Sequence, residues 1–199
     1  MKILLVTCLL FYSTIAISQT RTTNDLSLVN AISVKKYIGK NYRASVDIKS
    51  IPSDSTGAAS LFVLQAGKSD WDFILKTRQD ILAKTIDTNW HSYKATGVID
   101  LSAQQIWLYV NIKGNGDFCY DNFALEIEVQ PNEWEKTVIP NGNFEESTNP
   151  LKELKGGESQ KNNKGIKISL NTSPDERYQH YLQVKTTNGK IQQIYGQEA

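Results

Sequence analysis

A chain of 199 residues with 22 Lys and Arg against 21 Asp and Glu carries no strong field to gather nucleic acid or an anionic membrane. Two cysteines exclude a disulfide-dense scaffold, so stability must come from a hydrophobic core, for which the length is ample. The first element in chain order is Lys2 followed by the apolar run Ile3 to Ile17, with Ala16-Ile17-Ser18 as a small-x-small cleavage site. Residues 1–18 therefore read as a secretory signal peptide, too short and too polar in its flank for a membrane span. Cleavage makes the protein secreted or periplasmic. It leaves 21 Lys and Arg (22 less Lys2) against 21 Asp and Glu, with Cys119 the remaining thiol. A lipid anchor at Cys8 is the alternative, although Thr7 suits that processing poorly.

The remaining elements, read over residues 26–195, are strands. Tyr42, Ala44, Val46 and Ile48 alternate with Arg43, Ser45, Asp47 and Lys49. Ile106, Leu108, Val110 and Ile112 alternate with Trp107, Tyr109 and Asn111, and Phe123, Leu125, Ile127 and Val129 with Ala124, Glu126, Glu128 and Gln130. Period two is the mark of a strand with one buried face. Ala59 to Ala66 is apolar on both faces, as a central strand would be, and Lys76 to Thr85 alone has a helical look. Asn149 to Gly165, rich in Lys, Gly and Asn, reads as a solvated loop; strands resume at Ile166–Leu170 and Tyr178–Val184. Many short strands between turn signals predict an all-β antiparallel sandwich.

Four features in order give the chain a likeness. Gly39-Lys40, Trp90 to Tyr93, Gly114 to Gly116 and Tyr120-Asp121-Asn122-Phe123 resemble, across roughly residues 28 to 130, the later strands of galactose-binding-like jelly rolls, which include carbohydrate-binding modules and the N-terminal sandwiches of secreted bacterial hydrolases. The family's opening phrase is found late, as Asn141-Gly142-Asn143-Phe144-Glu145. Two readings follow: a circularly permuted single sandwich, in which residues 136–195 supply the first strands, or a truncated second module. The first is favoured because a half-sandwich would leave unpaired edges. The resemblance implies a structural Ca²⁺ near Asp121 and Glu145; the alternative is that Asp121 only caps a turn. It also assigns Trp90 to the core.

Enzyme motifs are lacking: there is no G-x-S-x-G elbow and no phosphate-binding glycine loop, and neither His91 nor His180 has ligand-spaced neighbours in sequence. A non-catalytic module is the reading, with a glycan or a hydrolase domain as partner. Aromatic faces stack on sugar rings, which makes Trp107, Tyr109 and Asn111, with Arg43 and Asp47 nearby, a candidate ligand groove, and Trp71 a candidate loop contact. Burial of Trp107 in the core or under a loop is the competing reading.

Overall fold

Two antiparallel sheets carry the alternation read from the sequence. The computed structural model describes residues 28–53, 55, 57–68, 72–83, 88–137, 139, 142–145, 165–187 and 192–194. The segment read as a signal peptide, Trp71, Asn141 and the stretch read as a solvated loop before Gly165 lie outside them. Among the described residues eleven strands are formed: β1 (Leu28–Ser33), β2 (Asn41–Pro52), β3 (Ala58–Ala66), β4 (Gln79–Ala83), β5 (His91–Val98), β6 (Gln105–Lys113), β7 (Gly116–Gln130), β8 (Glu133–Thr137), β9 (Ile166–Thr172), β10 (His180–Thr186) and β11 (Gln192–Ile194). One sheet runs β1-β6-β3-β4 with β11 also on β6; the other runs β5-β2-β7-β10-β9 with β8 also on β7. The protein is an all-β antiparallel sandwich.

The core lies between the sheets. Tyr42, Ala44, Val46 and Ile48 from β2 face Leu61 and Val63 from β3 and Ile106, Leu108, Val110 and Ile112 from β6, each at most 1% exposed. β3 is apolar on both sides, as expected: Phe62 and Leu64 point outward into a second cluster with Ala31, Ala66, Trp107 and Tyr109. Cys119 is a free buried thiol whose pKa burial, reinforced by the Asp117 charge, pushes up to about 12. That is an unreactive position.

Lys76 to Thr85 departs from expectation. Leu75–Thr77 makes a 3-10 turn and β4 follows as an edge strand paired with β3. Asp80 and Leu82 are exposed while Ala83 is buried, so the segment obeys a period of two over five residues. Its pairing partner, not its local propensity, decides the outcome.

β7 carries the feature that shapes the site. Phe118 and Tyr120 point inward, then Phe123, Leu125 and Ile127 do, so the inward parity changes between them. The extra residue is absorbed by a bulge: Ser45 pairs with Ala124 and Asp47 with Asp121, and Asn122 takes φ 52°. Opposite the bulge, the far edge of β7 is shared. β10 covers Gly116–Tyr120 and β8 covers Leu125–Gln130. The turn at residues 142–145 docks between them, with the Phe123 N–H donating to the Gly142 carbonyl at 2.8 Å. Gly142 is required there, since a Cβ would stand 2.8 Å from the Phe123 oxygen.

The C-terminal third belongs to these same sheets. β9 and β10 extend one and β11 the other. Ile194, at the end of β11, and Leu28, at the start of β1, both stand opposite Val110, and both strands run antiparallel to β6. The last described strand ends where the first described strand begins.

Candidate functional site

The outer face of the β5-β2-β7-β8 layer holds a hollow of about 760 Å³. Its floor is cut by small residues. Ser45 at the centre of β2 has Lys94 opposite on β5 and Ala124 opposite on β7. One step along β2, Arg43 lies between Thr96 and Glu126, and Lys136 on β8 stands opposite Glu126. Long charged side chains thus stand around Ser45, Ala124 and Ser92, and the 142–145 turn together with Arg177 completes the wall.

Two of the cations are already matched. Arg43 bonds Glu126 through Nε, and its guanidinium lies 4.3 Å over the Trp134 ring. The Arg43 bond holds the Glu126 carboxyl below its usual pKa. Arg177 sits 3.6 Å from Asp47 Oδ2, which also accepts from Asn122 Nδ2 at 3.1 Å. Lys94 and Lys136 close no ion pair among the described residues.

Beside the hollow lies a carboxylate cluster in which Asp121 and Asp47 are buried and Glu145 is exposed. Asp121 is fully buried and accepts the Asn122 N–H at 2.6 Å, and its Oδ2 has no partner among the described residues. Burial drives its pKa up to about 7; the Asn122 bond opposes this, and the charges of Glu145 and Asp47 add to it. Glu145 is therefore near Asp121, as the resemblance implied. Its two oxygens, however, are occupied: Oε1 accepts the His180 N–H at 2.9 Å and Oε2 lies 2.6 Å from His180 Nδ1. Burial raises the Glu145 pKa, and the bonds from His180 more than offset it.

A calcium ion takes six to eight oxygens. Among the described residues no group of three or more His, Cys, Asp or Glu could hold a metal. The described side chains do not fit the ion on their own: one carboxylate is satisfied by His180, and the orphan oxygen of Asp121 is a single donor. This leads to a prediction. Between about pH 4 and 7 the folded chain keeps a proton on Asp121 that the unfolded chain has lost, so stability falls as pH rises through that window and stays low above it. Asp121→Asn, which removes the charge and keeps the shape, is expected to add on the order of 2 kcal/mol at pH 8 and almost nothing at pH 4. Melting curves at both pH values, with and without chelator, check this. A chelator-sensitive parent and a destabilised Asp121→Asn at pH 8 would instead show a bound cation.

The structure brings together only some of the residues singled out from sequence. Arg43 is in the hollow. Trp107, Tyr109 and Asn111 are on the other sheet, so no groove joins them to Arg43. Trp107 and Tyr109 are 8% and 5% exposed; Phe73 meets the Trp107 ring edge-on at 5.4 Å, and Trp107 Nε1 donates to Gln105 Oε1 at 2.7 Å. Covered in this way, they offer no stacking face. Trp90 is half-buried and lies outside both apolar clusters, stacked on Tyr178 at 4.4 Å with the edge of Tyr181 at 5.5 Å, because residue 90 precedes β5 and meets the turn before β10. Lys94, Lys136 and Arg177 were not anticipated, and Asn122 was singled out as part of the Tyr120 to Phe123 motif, not as a lining residue. Ser92-Lys94-Thr96 is a period-two polar row that marks the outward face of β5, and it could have been read. The nearness of Arg177 and Lys136 could not.

Among the described residues no helix is long and apolar enough to cross a membrane. Compared with known proteins, the chain matches no family model, no curated protein and no solved structure.

Proposed function

We propose that this chain is a secreted, non-catalytic binding module that seats a carbohydrate in the hollow over β5, β2 and β7. The observation that carries the reading is the hollow itself. Its volume of about 760 Å³ falls within the range of small-molecule sites, about 300–1,000 Å³. Its floor is small and polar, and its walls present hydroxyls, amides and charged groups on a rigid sheet. A polyhydroxylated ligand needs many hydrogen-bond partners at fixed positions, and strands hold them better than loops. The signal-like N-terminal segment supports an extracytoplasmic location, and the likeness to galactose-binding-like jelly rolls supports the ligand class.

The test is to block the floor. Wild-type protein is expected to be retarded by at least one polysaccharide in affinity electrophoresis across a broad panel. Ser45→Trp, which fills the hollow without touching the core, is expected to weaken that binding by about tenfold or more, or about 1.4 kcal/mol, at unchanged melting temperature. Trp107→Ala, on the covered outer cluster, is expected to cost stability and to leave affinity alone at a temperature where the variant is folded. No retention on any polysaccharide, or full retention by a folded Ser45→Trp, would overturn the reading.

A further inference from the structure

We propose that the ligand of this hollow is an acidic saccharide, a sugar bearing carboxylates at its periphery. This rests on the carbohydrate reading above and adds the charge class. The hollow is lined by four cations, Arg43, Lys94, Lys136 and Arg177, against two acids, Asp47 and Glu126, although the whole chain is nearly neutral. The bookkeeping of pairs matters more than the count. Glu126 is matched by Arg43 and Asp47 by Arg177, so the surplus resides in Lys94 and Lys136. These two stand on opposite sides: Lys94 on β5 is beyond β2, and Lys136 on β8 is beyond β7. Three strand spacings, about 14 Å, separate the backbones that carry them.

Between the two lysines the floor offers Ser45 and Ala124, with the matched Arg43–Glu126 pair to one side of them and the neutral hydrogen-bonding groups of Ser92 and Asn122 to the other. A complementary ligand therefore has hydroxyls at its centre and negative charge at its edges. An uncharged sugar would leave both lysines with no closer counter-charge among the described residues than Glu126, whose carboxylate is already bonded by Arg43, and a compact inorganic anion cannot reach both sides at once. Lysine suits the role, because its compact point charge on a flexible stem adapts to a carboxylate whose exact placement varies along a polymer. An exposed lysine–carboxylate contact of this kind weakens with salt.

The experiment compares short oligomers of galacturonate, glucuronate and mannuronate with their methyl esters, which differ in charge and hardly in shape. Calorimetric titration at low salt is expected to show at least tenfold tighter binding of one free acid than of its ester, with the advantage shrinking several-fold in about 0.5 M salt. Lys94→Gln with Lys136→Gln is expected to bring the affinity for the acid down to that for the ester and to remove its salt dependence, with the melting temperature unchanged. Equal binding of acid and ester, or a preference that survives in the double variant, overturns the charge assignment and leaves the carbohydrate reading standing. So does binding confined to neutral glycans in a manner blocked by Ser45→Trp. Binding of dextran sulfate in place of any uronate overturns the carboxylate in favour of a sulfate ester. Silence toward every saccharide overturns both readings together.

Discussion

A chain ending at Thr137 is expected not to fold. Such a fragment keeps β1 to β8 and loses β9, β10, β11 and the turn that carries Phe144. The loss strips Leu182 and Val184, both 0% exposed, together with Phe144 and Ile168 from the core. Burying one large apolar side chain contributes roughly 1.5–3 kcal/mol, so four of them amount to much of the roughly 5–15 kcal/mol by which a domain is stable. The fragment also bares the Gly116–Tyr120 edge of β7, which β10 covers in the whole chain. An uncovered strand edge templates aggregation. The expected result is an insoluble or non-cooperative fragment. A rotated chain is the control. It begins at Val138, runs to Ile194, joins Leu28 through a short linker and ends at Thr137. Because Ile194 and Leu28 stand opposite the same residue of β6, the linker closes no long gap, and this chain is expected to melt cooperatively near the parent. A sharp thermal transition in the fragment would show that the C-terminal third is dispensable and would remove the case for a permuted single sandwich.

What could be read in advance divides along the line between local and non-local information. The inward set of β2 was legible because Tyr42, Ala44, Val46 and Ile48 repeat every second residue, and all four are buried. Alternation also placed Trp107 and Tyr109 together on one face of β6. It could not say whether that face is open. Phe73, more than thirty residues earlier in the chain, arrives to meet Trp107, and the apparent groove is a packed cluster. Arg43 was legible as outward-pointing. Its neighbours were not, because Glu126 and Lys136 come to it through the register of β7 on β2 and of β8 on β7, across a bulge. The bulge did leave a trace in the sequence. Tyr120 and Phe123 are both buried yet three residues apart, a break in period two, with Asp-Asn between them. Asn tolerates the left-handed conformation that the bulge imposes on residue 122. Glu145 was expected near Asp121 and is there, but its pairing with His180 depends on β10 lying beside the turn, which no local pattern records.

Phe144→Ala is expected to cost about 3–5 kcal/mol, the usual range for a buried phenylalanine. The ring is 7% exposed, belongs to the main core and meets Phe123 edge-to-face, with centroids 6.1 Å apart and planes at 82°. Its backbone sits at φ 57°, unfavourable for any L side chain. Alanine would keep that strain and lose the contacts that hold it in place, so the substitution gains nothing in return. The site has little room to collapse, because the turn is pinned by the Gly142 carbonyl to the Phe123 N–H. Two neighbours calibrate the result. Phe144→Leu, which retains most of the volume, is expected to cost about 1.5 kcal/mol or less. Asn143→Ala, on an exposed residue of the same turn, is expected to fall within about 0.5 kcal/mol. Urea titration measures all three, and the midpoints should move while the slope stays constant, since the surface exposed on unfolding is the same. A loss below about 1 kcal/mol for Phe144→Ala would put the turn outside the cooperative core. The hollow would then lose the rigid wall that residues 142–145 give it, and the binding reading would weaken with it.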